Sequence, residues 1–351
     1  MSRTCWRTDR MGAVGSRSGK NRYPSSWARC RRATGSSSRA VESRKGSTDC
    51  IGVIATVFRP ASGFGAPRVM FRGMMTNGLT ENQRQKYMEQ GYLLLDNLYD
   101  PARLDPLIDE LTHIIDRWAH RYYEQKRLAD MFEGEPFDRR FFRIHEAMNG
   151  ACSELNDAVL GKRKTAGMFH VMTLPEILDV VQSLIGPEIL VHPQFNCRAK
   201  FPDRTSVVDW HQDIGFLDAA VLETFMVNFW VPLVDSNVDN GCLEVIKGSH
   251  RSDRLPFAAS PEQIDDASMP EGERICCPVP VGGALLLQHT TVHRSTPNYS
   301  DHIRWSLDIR YSDWRQPTGR DEVPGYIARS DTHSDRIAAS HVDWLAMFES
   351  V

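Results

Sequence analysis

From Gly186 onward the chain is written in short β-branched or aromatic segments divided by Gly, Pro, Asn and Asp, and this texture restricts the fold more than any other feature. VHPQFNCRAKF, TFMVNFWVPLV, CLEVI, RICCPVPV, ALLLQHTTVH and IRWSLDIRY read as strands. Many short strands at even spacing belong to a sandwich or a barrel. Side chains two apart share one face of a strand, so three of these segments divide cleanly. In the first, Val191, Pro193, Phe195, Cys197, Ala199 and Phe201 form an apolar face, opposite His192, Gln194, Asn196, Arg198 and Lys200. In the second, Phe225, Val227, Phe229, Val231 and Leu233 lie together, with Asn228 and Trp230 on the other side. In the last, Ile303, Trp305, Leu307, Ile309 and Tyr311 oppose Arg304, Ser306, Asp308 and Arg310.

The polar faces have two readings. One is a water-facing side, common in antiparallel sheets. The other is a barrel interior, where ligands bind, if the N-terminal half covers the apolar faces. That half supplies helices. TENQRQKYMEQG reads as a helix capped by Thr80 and stopped by Gly91, and YLLLDNL as a short strand after it. Asp100-Pro101 opens a second helix with Leu104, Leu107, Ile108, Leu111, Ile114 and Ile115 on one face. LPEILDVVQSLIG is an amphipathic helix ending at Gly186. FDRRFFRIHEAMNG (137–150) is either a substrate-facing cover or an ordinary helical layer.

Residues 1–75 differ from the rest, with SRSGK, RCRRATGSSSRA and RPASGFGAPR rich in Ser, Arg, Gly and Pro. Such composition buries little core, so a disordered basic tail is expected there and one folded domain over residues 76–351. The tail reads as an organelle transit peptide, as a basic binding arm, or as sequence upstream of a true start at Met74 or Met75. Its only acids are Asp9, Glu42 and Asp49, so the net charge of −3 hides a clearly acidic body. An acidic body repels nucleic acid and anionic membrane, and neither is expected as a partner. The run Cys50 to Phe58 is too short to span a bilayer. The eight Cys contain no C-x-x-C, which argues against a thiolate zinc site. A reducing, cytoplasmic setting is the default, or a mitochondrial one if the tail is a genuine transit peptide.

Within the strand-rich half, WHQDIG places His211 and Asp213 two residues apart at the end of an extended segment, so both point to one side. His293 in TTVHRSTPN ends a strand before a turn and is preferred as a third ligand over His289, four residues earlier. Two His and one carboxylate on one face of a metal leave positions open for cosubstrate and O2, as in non-haem Fe(II) oxygenases.

The ordered set WHQD (210–213), NGCLEVIKGSH (240–250), a glycine pair at 282–283 and HRSTPNYSDHIRWSLDIRY (293–311) resembles the phytanoyl-CoA dioxygenase family. The resemblance covers roughly residues 80–315 and is most specific from 192 to 311. It implies an α+β chain with a mainly β core, a double-stranded β-helix (jelly roll, cupin-like) with N-terminal helices packed on it. It also implies a dioxygenase using Fe(II), 2-oxoglutarate as cosubstrate and O2. His211, Asp213 and His293 resemble the metal ligands. Arg304, eleven residues past His293, resembles the arginine that holds the distal carboxylate of 2-oxoglutarate, and Ser295 its hydroxyl partner. Gln194, Arg198 and Lys200 fall on the strand that faces cosubstrate and substrate, and Trp230 matches a pocket aromatic. Family halogenases replace the carboxylate by a small residue; Asp213 keeps it, so the resemblance implies hydroxylation of a small molecule, with succinate and CO2 released. The acyl-CoA of the family name does not follow, since folds outlive substrates. Two other classes compete: a cupin-like metal or ligand binder without turnover, and a zinc hydrolase using the same triad. No residue pattern reports an oligomeric state.

Overall fold

The computed structural model describes residues 78–349 apart from 262 and 321–323. The expected tail at 1–75 lies outside the described residues.

The first helix, α1 (Glu81–Gln90), begins with a full capping box, in which the Thr80 hydroxyl accepts from the Gln83 N–H and the Gln83 side chain accepts from the Thr80 N–H. It stops at Gly91, whose left-handed φ of 82° suits a residue without a Cβ. Strand β1 (Tyr92–Leu95) follows directly. Asp100 caps a short 3-10 turn at Pro101–Leu104, which leads into α2 (Asp105–Glu124). The predicted apolar face of α2 is buried through Leu107, Leu111, Ile114 and Ile115. Helices α3 (Phe137–Ala147), α4 (Ser153–Val159), α5 (Ala166–Met172) and α6 (Pro175–Ile185) complete the helical half.

The remaining chain forms a jelly roll of two antiparallel sheets. Its strands are β2 (Ile189–Val191), β3 (Asn196–Lys200), β4 (Val208–His211), β5 (Val227–Pro232), β6 (Leu243–Ile246), β7 (Arg274–Cys277), β8 (Ala284–Gln288), β9 (His293–Ser295), β10 (Arg304–Asp313) and β11 (Tyr326–Arg329). The seven-stranded sheet runs β1-β8-β5-β10-β2-β11, with β3 also paired to β10; the four-stranded sheet runs β4-β9-β6-β7.

Alternation decides what each sheet face touches. Val227, Phe229 and Val231 of β5, Ala284 and Leu286 of β8, and Trp305, Leu307, Ile309 and Tyr311 of β10 join the helices in one core. Phe137 stacks on Trp305 with ring centroids 5.0 Å apart, so α3 is a layer on this core. The opposite residues face inward, between the sheets. There Trp230, Leu285 and Leu287 meet Leu243 and Val245 of β6 and Cys277 of β7 in a second apolar cluster. The rest of the space between the sheets is a cavity. The polar faces therefore line an interior, and 137–150 is a helical layer rather than a cover of the pocket mouth.

Two features depart from the sequence reading. The segment 191–201 is not one strand. Val191 pairs with Tyr311 and Lys200 with Arg304, so nine steps on one side face seven on the other, and two extra residues are looped out. Pro193 has no N–H to give a ladder, and His192 is taken up locally: its Nε2 lies 2.7 Å from the Thr318 carbonyl and its Nδ1 accepts from the Gln194 N–H. An even excess preserves parity, so Asn196, Arg198 and Lys200 still face the cavity. The second departure is the C-terminal end, where β11 and helix α7 (His341–Glu349) add to the core through Tyr326 and Trp344.

Gly91 joins these halves. Its carbonyl accepts from the Gln288 N–H and from the Thr291 hydroxyl, which ties the α1–β1 junction to the segment leading into β9. An added Cβ would run into the His250 ring. Gly91→Ala is expected to cost about 1 to 3 kcal/mol through backbone strain and this clash, read as a lowered midpoint in urea unfolding with an unchanged slope.

Candidate metal centre and cosubstrate pocket

His211 and His293 meet because their strands do. They are direct partners across β4 and β9, and their ring centroids are 4.2 Å apart. Each ring is oriented by its own backbone: His211 Nδ1 lies 2.8 Å from the Asp209 carbonyl and His293 Nδ1 lies 2.9 Å from the Thr291 carbonyl. A carbonyl only accepts, so each Nδ1 carries the proton and each Nε2 presents a lone pair. Burial, then the neighbouring His293, pushes the His211 pKa down to about 3, so the ring is neutral at ordinary pH. Gln212, between the two predicted ligands, points the other way. Its side-chain amide donates to the Thr290 and Asp253 carbonyls and its oxygen accepts from the Leu255 N–H, which pins the end of β4.

Asp213 opens the 3-10 turn Asp213–Phe216 and brings its carboxylate beside the two imidazoles. The ligand atoms of His211, Asp213 and His293 all lie within 4.8 Å of one another. Arg310 donates to one carboxylate oxygen and the Asn228 amide to the other. Burial opposes the charge on Asp213, but the Arg310 guanidinium above all, with the hydrogen bond from Asn228, holds the carboxyl well below the usual range. Two lone pairs and a fixed anion, converging and dehydrated, suit a divalent transition ion. His289 is buried nearby but falls outside this group.

The cavity beside the triad has a volume of about 580 Å³, within the roughly 300–1,000 Å³ usual for small-molecule sites. All the other predicted residues line it: Arg304, Ser295, Gln194, Arg198, Lys200 and Trp230. Arg304 is 2 % exposed. One of its terminal nitrogens donates to the Ser306 hydroxyl, its Nε has no partner among the described residues, and its guanidinium stacks 4.9 Å from the Trp230 ring centre. Burial lowers its pKa to about 10, so it remains a cation. A buried cation without a facing carboxylate is costly unless a ligand completes it, and a fork of donors fits a carboxylate. The Ser295 hydroxyl accepts from the Val208 N–H at 3.0 Å and retains its own proton to donate. Gln194 has a buried amide oxygen without a partner among the described residues. Arg198 is half exposed and paired with Asp308.

Lys200 stands directly across the ladder from Arg304. Its ammonium donates to the Ser206 carbonyl, and Gly241 makes room for its stem: a Cβ there would lie 2.5 Å from Lys200 Cδ. Asn228 and Arg310, which hold Asp213, were not singled out from sequence as site residues. The available signal was parity, since Arg310 shares a face with Arg304, and Asn228 is its partner on β5.

Burial, then Arg304, lowers the Lys200 pKa from 10.5 to about 7. Between those values the unfolded chain binds a proton that the folded one does not, so this group's contribution to stability rises with pH across the window and is least favourable below 7. In cosubstrate-free protein, Lys200→Met should raise the melting temperature most below pH 7, and the gain should shrink as pH climbs toward 10.5. Thermal scans at matched ionic strength measure it; a gain independent of pH would refute the assignment.

Comparison with known proteins agrees with this arrangement. The family model for phytanoyl-CoA dioxygenase (PhyH) matches residues 87–306. Phytanoyl-CoA dioxygenase domain-containing protein 1 of Danio rerio is 28% identical over 292 residues, covering 70% of this chain and 97% of that protein. The peroxisomal phytanoyl-CoA dioxygenase of Homo sapiens is 26% identical over 183 residues, covering 51% of this chain and 50% of that protein. Among solved structures, the non-heme monooxygenase ThoJ in its apo form shares the fold with a TM-score of 0.51 at 22% identity, over 76% of this chain and 94% of that one. With a family match running from α1 through β10, the chain belongs to the phytanoyl-CoA dioxygenase family.

Proposed function

We propose that the chain is an Fe(II)- and 2-oxoglutarate-dependent dioxygenase that hydroxylates a small organic substrate and releases succinate and CO2. Family membership supports the general type, a non-haem iron oxygenase that uses 2-oxoglutarate. The observation that carries the reading is one cavity holding both a His-Asp-His group and, apart from it, a buried arginine with no carboxylate of its own. A pure metal binder has no use for the second feature.

His211 and His293 would bind Fe(II) through Nε2 and Asp213 through one oxygen, its remaining lone pairs held by Arg310 and Asn228. Arg304 would take the distal carboxylate of 2-oxoglutarate, with Ser295 donating to it and Trp230 walling the stem. Lys200 adds a second cation to that end when protonated. Bound there, iron and 2-oxoglutarate would supply the oxidising chemistry with O2. The protein's part is to orient the cosubstrate, fix the tautomers of both imidazoles and exclude water, which strengthens each charge interaction within.

A first test needs no substrate. Anaerobic protein with Fe(II) is titrated with 2-oxoglutarate and its weak visible charge-transfer band is followed. The wild type should saturate and His211→Ala should show no band. Arg304→Ala should need about ten to a hundred times more 2-oxoglutarate, the equivalent of one lost charged hydrogen bond. A wild-type protein that holds iron but gives no band would overturn the proposal in favour of a metal binder or zinc hydrolase.

A further inference from the structure

The inner face of β10 carries a second buried arginine. Arg310 lines the cavity with its side chain 6% exposed. One terminal nitrogen donates to Asp213, while Nη1 is buried and has no partner among the described residues. Two further cations adjoin lining residues without lining the cavity themselves. Arg320 donates to the Phe216 carbonyl, and Phe216 lines the cavity. Lys162 follows Gly161, another lining residue, and forms no hydrogen bond or ion pair among the described residues. Partial burial, then Arg320, Arg310 and Lys164, lower the Lys162 pKa. His192, buried beside them, offers no added charge: burial chiefly holds its pKa at about 4.

Charge balance shows what these groups lack. A divalent ion, Asp213, Arg304 and dianionic 2-oxoglutarate cancel. Arg198 is matched by Asp308. Among the described residues Arg310, Lys162 and Arg320 remain, with Lys200 when protonated, and the carboxylate that Arg310 touches would already be engaged by the metal. Cations concentrated in a low-dielectric cleft draw anions and bind them when desolvated. We infer that the substrate is a small organic oxyanion, a carboxylate or phosphate monoester, whose charged group is gripped by the free edge of Arg310 with Lys162 and Arg320 around it. This rests on the oxygenase reading, since it takes the metal and 2-oxoglutarate as resident when substrate enters.

The test is a binding measurement on matched acid and amide pairs. Protein carrying Fe(II) and 2-oxoglutarate without oxygen is titrated by calorimetry with octanoate and octanamide, phenylacetate and phenylacetamide, indole-3-acetate and its amide, and phenyl phosphate. The charge-transfer band is checked first. A missing band defeats the oxygenase reading itself, whereas a normal band leaves only the substrate class under test. At least one anion should bind about tenfold or more tightly than its amide, as one charged hydrogen bond predicts, and phenyl phosphate against phenylacetate reports which oxyanion the site prefers. Arg310→Gln should remove that preference. Because Arg310 also touches Asp213, Lys162→Gln serves as the second variant: it is exposed, should leave the band intact, and should weaken the anion several-fold while leaving the amide unchanged. Anions binding no better than their amides across the whole set, or an anion affinity unmoved by both substitutions, would overturn the inference.

Discussion

Strand β10 must satisfy two incompatible environments at once, and the rest of the molecule is arranged around that requirement. Its odd positions, Trp305 to Tyr311, are fully buried against the helices. Its even positions are Arg304, Ser306, Asp308 and Arg310, of which Arg304, Asp308 and Arg310 line the cavity. The period of two makes this division rigid, because a slip of one residue would drive two arginines into the helical core. β5 and β3 pair with β10 over six and five positions respectively, and the apolar side of each anchors its polar side. Packing on one face thus sets the geometry of the chemistry on the other.

The two histidines and the aspartate depend on a different constraint, the closeness of β4 and β9 in the smaller sheet. Partner positions across an antiparallel ladder are the nearest side-chain neighbours a sheet offers. With His211 opposite His293, two imidazoles converge without any loop having to position them. The backbone carbonyls of Asp209 and Thr291 then select the tautomer, and Gln212 anchors the turn that brings in Asp213. Preorganisation of this kind comes from secondary structure, which holds a site more closely than loops do.

Much of this was legible in the sequence, for reasons that also explain what was not. The faces of β5 and β10 followed from alternation, the α1 boundaries from Thr80 and Gly91, and the candidate site residues from ordered motifs that resemble those of one family. The irregularity at 192–195 was hidden because the alternating pattern continues through it: two extra residues leave parity unchanged. The roles of Asn228 and Arg310 were hidden because they depend on which strands are neighbours, and pairing between positions 228 and 310 has no local signature. The C-terminal strand and helix were missed because Tyr326 and Trp344 are isolated aromatics in polar sequence, committed to the core only by tertiary packing.

An unliganded cavity of this composition works against the fold that contains it. Arg304 and Lys200 face each other across a ladder, Lys162 stands near Arg310 and Arg320, and among the described residues Asp213 supplies the carboxylate at the metal end. Like charges in a low-dielectric cleft raise the free energy of the folded state. Any anion or metal complex that binds the folded chain alone recovers part of that cost and shifts the unfolding equilibrium with its concentration. The same guanidinium edges would distinguish a carboxylate from a neutral isostere, since a neutral ligand would leave them desolvated and unmatched. On the oxyanion inference, selectivity for charged ligands and the cost of the empty cavity would share one origin, the buried cations on the inner faces of β3 and β10.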